Sequence, residues 1–275
     1  MKSVQTLVGW VRRSVLVLGL LCAPSSAVWA QEFIGLTYPY KDLTLSVKVA
    51  GVVSKIHIRI GDRVQAGQTL LELDSELQNI EVTRRRLILE SQAELQALEE
   101  RQSILQRLYN DANKLYEDVG AISREELMKL RMELLTVQAR RDQLVQDKRR
   151  EGQELELAQQ EKQVRMLTAP IAGVITGITV DPGEWATPTE SVVRLVDDTV
   201  VELRINISQA AASRLAVGKN LPVTIDDPRG AIRQSGRIIF LSTVADAASG
   251  LVEMRVHIPN SNRKIRPGVK ARLSL

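Results

Sequence analysis

One motif occurs twice in this chain, with the same spacing inside each copy. Ala50-Gly51-Val52-Val53-Ser54-Lys55-Ile56, followed by Gly61-Asp62, returns as Ala172-Gly173-Val174-Ile175-Thr176-Gly177-Ile178, followed by Gly183-Glu184, at a constant offset of 122 residues. Leu70, Leu71 and Leu73 superimpose in the same way on Val192, Val193 and Leu195. A gapless repeat of this length specifies two equivalent units. Each alternates apolar residues (Ile56, Ile58 and Ile60; Ile178 and Val180) with polar ones, the period of a strand, and places Gly51, Gly61, Gly173 and Gly183 where strands turn. Neither half can bury its apolar face alone, so the two are expected to pair into one small β-domain.

What separates the halves is helical. Residues 75–163 contain no proline and only two glycines, Gly120 and Gly152. They are rich in Glu, Gln, Arg, Leu and Lys, the composition of a long solvated helix. Alternate steps of four and three back from Leu115 reach Ala112, Leu108, Leu105, Arg101, Leu98, Glu94, Ser91, Leu87, Arg84, Ile80 and Leu77, of which eight of twelve positions including Leu115 are apolar. Forward from Leu127 they reach Leu130, Leu134, Val137, Arg141, Leu144, Lys148, Glu151, Leu155, Ala158, Lys162 and Arg165, with seven of twelve apolar. These are narrow heptad seams, interrupted by Arg84, Glu94 and Lys148. Gly120 suits a helix C-terminus, and Ser123 with Glu126 forms a capping box that opens a new helix. The segment therefore predicts an antiparallel coiled-coil hairpin on the order of 60 Å long, whose use is reach.

Residues 1–30 read as a secretory signal. Lys2, Arg12 and Arg13 precede the apolar run Ser14 to Ala23, and Ala27-Val28-Trp29-Ala30 offers small residues for cleavage before Gln31. The run is about half the length of a membrane-spanning helix, which disfavours a retained anchor. Leu21 before Cys22 disfavours lipidation, and cleavage leaves a mature chain without cysteine. The leader also explains most of the net charge of +4, because without it 34 Lys+Arg face 33 Asp+Glu.

After Asp198 the pattern becomes that of a small β-barrel: strands are expected at 199–207, 221–225, 236–241, 251–258 and 269–275, with a short helix capped by Ser208 and ended near Gly218. The fold class is thus α+β, with a coiled-coil hairpin inserted in a split β-domain and a small β-barrel behind it. The expected division is 1–30 leader, 31–74 N-terminal segment and first half, 75–163 hairpin, 164–197 second half and 198–275 barrel.

Two histidines, one cysteine and 3% aromatic residues leave little material for a zinc enzyme or for a nucleic-acid reader that stacks bases. No catalytic residue, cofactor or metal site is expected. Met128 and Met132 read as packing rather than soft-metal ligands, and Arg140-Arg141 and Lys148-Arg149-Arg150 as a solvated helix face. His57 and His257 have only their intrinsic pKa to suggest pH sensing.

The stretch VAGVVSKIHIRIGDRVQAGQTLLELD, the heptad insertion, and the return LTAPIAGVITGITVDPGEW resemble the periplasmic adaptors, or membrane fusion proteins, of tripartite efflux and secretion systems. The segment Lys264-Ile265-Arg266-Pro267-Gly268 resembles the same family's barrel ending. The resemblance implies a biotinyl/lipoyl-like domain split by the hairpin, a non-enzymatic role in the periplasm peripheral to the inner membrane, and assembly as trimers or hexamers. It implies partners in an inner-membrane transporter, of resistance-nodulation-division (RND) type or alternatively an ABC or facilitator-type exporter, and in an outer-membrane channel met by the hairpin tip. The tip candidates are Leu115, Tyr116, Gly120, Ala121, Ile122 and Ser123.

Departures are visible. Leu115 lies eight rather than seven residues before Ser123, and Asp111 stands where the family's tip carries Arg. The family's membrane-proximal domain is expected to be missing or minimal. Carrier domains of this fold hold a lysine where this chain has Asp74-Ser75-Glu76, which argues against a swinging prosthetic group. A coiled-coil protein without a transport role is the remaining alternative.

Overall fold

A computed structural model describes residues 32–274; the leader read over 1–30 lies outside the described residues. In chain order the elements are β1 (Glu32–Leu45), β2 (Gly51–Ile56), β3 (Arg63–Val64), β4 (Thr69–Leu73), α1 (Glu76–Glu90), α2 (Ala93–Asp118), α3 (Arg124–Gln163), β5 (Met166–Thr168), β6 (Gly173–Ile178), β7 (Trp185–Ala186), β8 (Val193–Ser208), α4 (Gln209–Ala212), β9 (Asn220–Asp227), β10 (Gly230–Ala245), β11 (Leu251–Pro259) and β12 (Lys270–Ser274). They divide into two compact units, one of residues 37–202 with 258–268, the other of 32–36, 203–257 and 269–274.

In the first unit the repeated halves exchange strands. Gly51 and Val52 pair with Ala186 and Trp185, while Gly173 and Val174 pair with Val64 and Arg63. Each pairing is the other displaced by the repeat offset. The loop bonds repeat too: the Gly61 N–H donates to Ile175 O and the Gly183 N–H to Val53 O, both at 2.8 Å. Asp62 Oδ2 accepts from the Arg59 N–H, and Glu184 Oε2 from the Asp181 N–H, again both at 2.8 Å. The physical reason for the exchange is burial. Val53, Leu70, Leu71, Leu73, Ile175, Val193 and Leu195 form one core of almost completely buried side chains drawn from both halves, each worth roughly 1.5–3 kcal/mol.

The equivalent glycines are not equivalent in space. A Cβ on Gly173 would stand 2.5 Å from Val196 O and 3.0 Å from a Leu195 methyl, whereas on Gly51 its nearest neighbours are the Arg165 guanidinium at 3.3 Å and the Leu73 side chain at 3.5 Å. Gly173→Ala is expected to cost about 2–3 kcal/mol by forcing β6 from β8, and Gly51→Ala less than about 1 kcal/mol, with urea denaturation midpoints as the measurement. Gly61 and Gly183, at φ +96° and +95°, have open space around them and are required by the backbone conformation alone.

The helical insertion leaves and re-enters this core through a fixed base. Asp74, just before the N-cap Ser75, accepts from the Glu76 N–H through Oδ1 at 3.1 Å and so satisfies the first free N–H of α1, and the Arg165 guanidinium donates to Asp74 O at 2.9 Å. Along α3 every seam position from Leu127 to Lys162 is buried or half-buried, as its heptads predict. The first arm differs. It is interrupted between α1 and α2 at Ser91-Gln92, and α1 turns Gln78, Val82, Arg85 and Leu89 inward, with Arg85 paired to Glu151 and Glu154. The expected seam residues Leu77, Ile80 and Leu87 are 76%, 59% and 63% exposed. Beside them Arg84 and then Arg85 hold the Glu81 carboxyl well down, at about 2. Lys148, a seam position by its heptad but grouped with Arg149 and Arg150 as a solvated face, reaches inward to the carbonyls of Ile88, Leu89 and Ser91.

The second unit is a sheet in the order β1-β12-β9-β10-β11-β8, closed by a further pairing of β1 with β8. Leu203, Ile205, Ile207, Val223, Ile225, Ile238 and Met254 fill it. Residues 32–36 pair with 270–274 of β12, which corrects the expectation that 198–275 build the barrel alone. The reason is geometric: without an N-terminal strand, β12 would present an unpaired edge.

The hairpin tip as candidate functional site

The tip is built by two local devices. At the end of α2 the backbone reverses through Gly120 at φ +64°, and the N–H groups of Val119 and Ala121 both donate to Leu115 O, at 3.4 and 3.3 Å. At the start of α3, Ser123 Oγ accepts from the Glu126 N–H at 3.2 Å, and Glu125 and Glu126 occupy the first turn, where the helix dipole favours negative charge. Ala121 is exposed and Ile122 half-buried between them.

The apolar side chains around this turn divide into two sets. Ala112 is buried against α3, with Leu105 below it meeting Leu134 and Val137. Leu115 and Val119 point outward, 47% and 73% exposed, and Tyr116 is 39% exposed. Leu115, given to the seam by its heptad position, is thus only half used there. Val119 is the most exposed large apolar side chain of the tip and was not among the sequence-derived candidates. Its signal was its place one helical turn beyond Leu115, on the same face. Asp111, Glu117, Asp118, Glu125 and Glu126 are exposed on the helix ends that flank this turn, as are Lys114, Arg124 and Lys129, and Lys129 is paired with Glu125 at 2.8 Å. The tip thus offers exposed apolar side chains on helix ends where acidic residues outnumber basic ones, five to three. Among the described residues there is no group of three or more His, Cys, Asp or Glu placed to hold a metal ion. Met128 and Met132 lie exposed on the outer face of α3 rather than packed, and His57 Nε2 lies 3.0 Å from Glu72 Oε1 on the surface of the β-domain.

A Cβ at Gly120 would meet nothing within 4 Å, so Gly120→Ala carries only the left-handed backbone penalty of about 1 kcal/mol. Ser123→Ala removes a cap worth about 1 kcal/mol. Both are expected to fray the tip alone, which hydrogen exchange at the Glu126 amide measures, and to leave the β-domain amides unchanged.

Comparison with known proteins agrees with this architecture. Residues 41–198 match the family model described as RND MFP, barrel-sandwich hybrid domain. The chain belongs to this family of membrane fusion proteins. The matched span begins within β1 and ends within β8, so it contains both halves of the repeat and the helices between them. MacA of Actinobacillus actinomycetemcomitans shares the fold, with a TM-score of 0.70 at 19% identity over 89% of this chain and 78% of its own. An uncharacterized protein of Haemophilus influenzae is 24% identical over 88% of this chain and 56% of its own length. The nickel-cobalt-cadmium resistance protein NccB of Alcaligenes xylosoxydans xylosoxydans is 24% identical over 68% of this chain and 43% of its own. The membrane fusion protein described here thus spans about half the length of these curated relatives. No helix among the described residues is long and apolar enough to cross a membrane.

Proposed function

We propose that this chain is the adaptor subunit of a tripartite efflux or secretion system in the periplasm. It links an inner-membrane transporter, of RND type, to an outer-membrane channel. One observation carries the reading: a family-specific β-domain is interrupted by a coiled-coil hairpin whose end displays Leu115, Tyr116 and Val119 to solvent. A hairpin with an α3 of 40 residues spans about 60 Å. That separates the tip from the base by far more than folding of the β-domain requires. Exposed apolar side chains grouped at the end of such an arm supply the contact surface that this reading requires.

The role of each part is mechanical. The barrel and the split β-domain seat the protein beside the transporter, copies pack around an axis as trimers or hexamers, and the tip residues Leu115, Tyr116, Val119, Ala121, Ile122 and Ser123 meet the channel. Asp74-Ser75-Glu76 at the start of α1 takes the place of a carrier lysine and instead caps a helix, which favours a non-enzymatic, packing role for the domain. A photo-crosslinking residue at exposed Ala121, in cells making the full chain at its native level, tests the reading. Capture of an outer-membrane channel is the expected result. Capture confined to cytosolic proteins would contradict it, as would a biotinyl or lipoyl group in the intact mass.

A further inference from the structure

The heptad stripe of the first arm and the face that the arm buries do not coincide. From Leu77 to Leu115 the stripe runs without a change of phase, as it would along one straight helix. The structure interrupts that helix where the sequence supplies neither Gly nor Pro, between Ser91, at φ −68° and ψ 99°, and Gln92, at φ −107° and ψ −1°. Beyond the interruption α1 seats Gln78, Val82, Arg85 and Leu89 on α3 and leaves Leu77, Ile80 and Leu87 outside.

Lys148 occupies the gap. Its ammonium donates to Ile88 O at 2.7 Å, Leu89 O at 3.3 Å and Ser91 O at 2.6 Å. In an unbroken helix those three carbonyls would accept from the N–H groups of Gln92, Ala93 and Leu95. A side chain from the opposite arm has therefore replaced three backbone donors. One turn further toward the base, Arg85 adds its pairs to Glu151 and Glu154.

We propose that the base of the first arm is a two-register element, latched in the described register by Lys148. In the second register α1 and α2 form one helix, and α1 turns by roughly 140°, taken at 100° per residue. Leu77, Ile80 and Leu87 then face Leu155 and Ala158 on α3, and Lys148 is released. Each register satisfies the Ile88, Leu89 and Ser91 carbonyls, one with an ammonium and the other with backbone N–H groups, so neither leaves these three acceptors orphaned; the N–H groups of Gln92, Ala93 and Leu95 face water in the first and are bonded in the second. The first keeps the Arg85 ion pairs; the second buries three large aliphatic side chains. The switch exchanges the outward face of the hairpin base between an apolar and a charged surface without unfolding it.

The test uses the full chain carrying Cys22→Ser. With Ala158→Cys as the common partner, a short thiol crosslinker is applied to Val82→Cys in one protein and Ile80→Cys in another, each with Lys148 retained or changed to Met. The expected result with Lys148 is linkage through position 82. With Lys148→Met, linkage through position 80 is expected to rise several-fold, and amide exchange at Gln92, Ala93 and Leu95 to slow by about tenfold or more as those N–H groups acquire partners. Faster or unchanged exchange at these amides in Lys148→Met, with linkage still confined to position 82, would overturn the proposal.

Discussion

Replacing Asn260 by alanine is expected to lower the stability of the unit that contains it by about 4 kcal/mol, counting roughly 1–3 kcal/mol for each buried polar group left without a partner. Asn260 is fully buried. Its amide nitrogen donates to Asp198 O and Ile265 O, each at 2.9 Å, and its amide oxygen accepts from the Ile265 N–H at 3.0 Å. Its own N–H donates to Thr199 O at 2.9 Å, which alanine would preserve. The side chain thus ties the 260–265 turn to the end of the β-domain, beside the Asp198 carboxylate that Arg63 holds at 3.1 Å and Arg263 at 3.5 Å. Alanine removes all three side-chain bonds, while Ile265 remains buried with both of its backbone groups unpaired. Asn260→Asp keeps an acceptor for the Ile265 N–H but offers no donor to the two carbonyls, and is expected to be at least as damaging at neutral pH. Urea denaturation read through Trp185 fluorescence measures both. A loss below about 1 kcal/mol would mean that water takes the place of the amide.

The second large effect concerns function rather than folding. Leu115→Asp together with Val119→Asp is expected to abolish export, by a hundredfold or more, while the melting temperature falls by only about 5 °C or less. The asymmetry follows from where the side chains point. Both are substantially exposed in the free protein, so charge there frays the last turn of α2 but costs the folded monomer far less than it costs the assembled contact. In an assembled conduit the same carboxylates would be buried, on a helix end that already carries Asp111, Glu117 and Asp118. An unpaired buried charge costs several kcal/mol, and each 1.4 kcal/mol is a factor of ten in binding. Complementation of transport in cells, with the purified variant melted in parallel, separates the two outcomes. Retained transport would remove these residues from the docking surface. Lost transport with a melting temperature lowered further than this would mark them as structural.

How much of this was legible in the sequence depended on the period of the signal. The repeat that places Gly51 with Gly173 and Gly61 with Gly183 foretold one β-domain made of two halves, because a constant offset survives any amount of inserted helix. The strand exchange, in which Val64 meets Gly173 and Ala186 meets Gly51, is what burial of two half-faces requires, though two-residue strands carry no periodicity of their own. The α3 seam was readable position by position. The α1 seam was not, because the heptad rule assumes an unbroken helix and the interruption at Ser91-Gln92 carries no Gly or Pro to announce it. What fills it is a lysine 57 residues later in the sequence, Lys148 against Ser91, a contact that no local pattern encodes. Residues 32–36 and Asn260 escaped for the same reason. Closing a barrel edge and plugging a turn are tertiary demands, and the Asn260-Ser261-Asn262 run reads locally as an ordinary turn. At the tip, the turn at Gly120 and the cap at Ser123 were legible because helix ends have their own chemistry, whereas the exposure of Val119 is set by tertiary packing.

If the hairpin works by reach, shortening it must abolish its function. Deleting residues 98–104 from α2 together with the opposing 135–141 from α3 removes one heptad from each arm. Seam phase and tip are preserved, and the tip is drawn in by roughly 10 Å. The prediction is a folded, helical protein of nearly unchanged melting temperature that no longer supports export and no longer crosslinks from Ala121 to an outer-membrane channel. Export at the full rate from the shortened protein would contradict the account, because an arm that can lose a heptad without consequence is not a spacer.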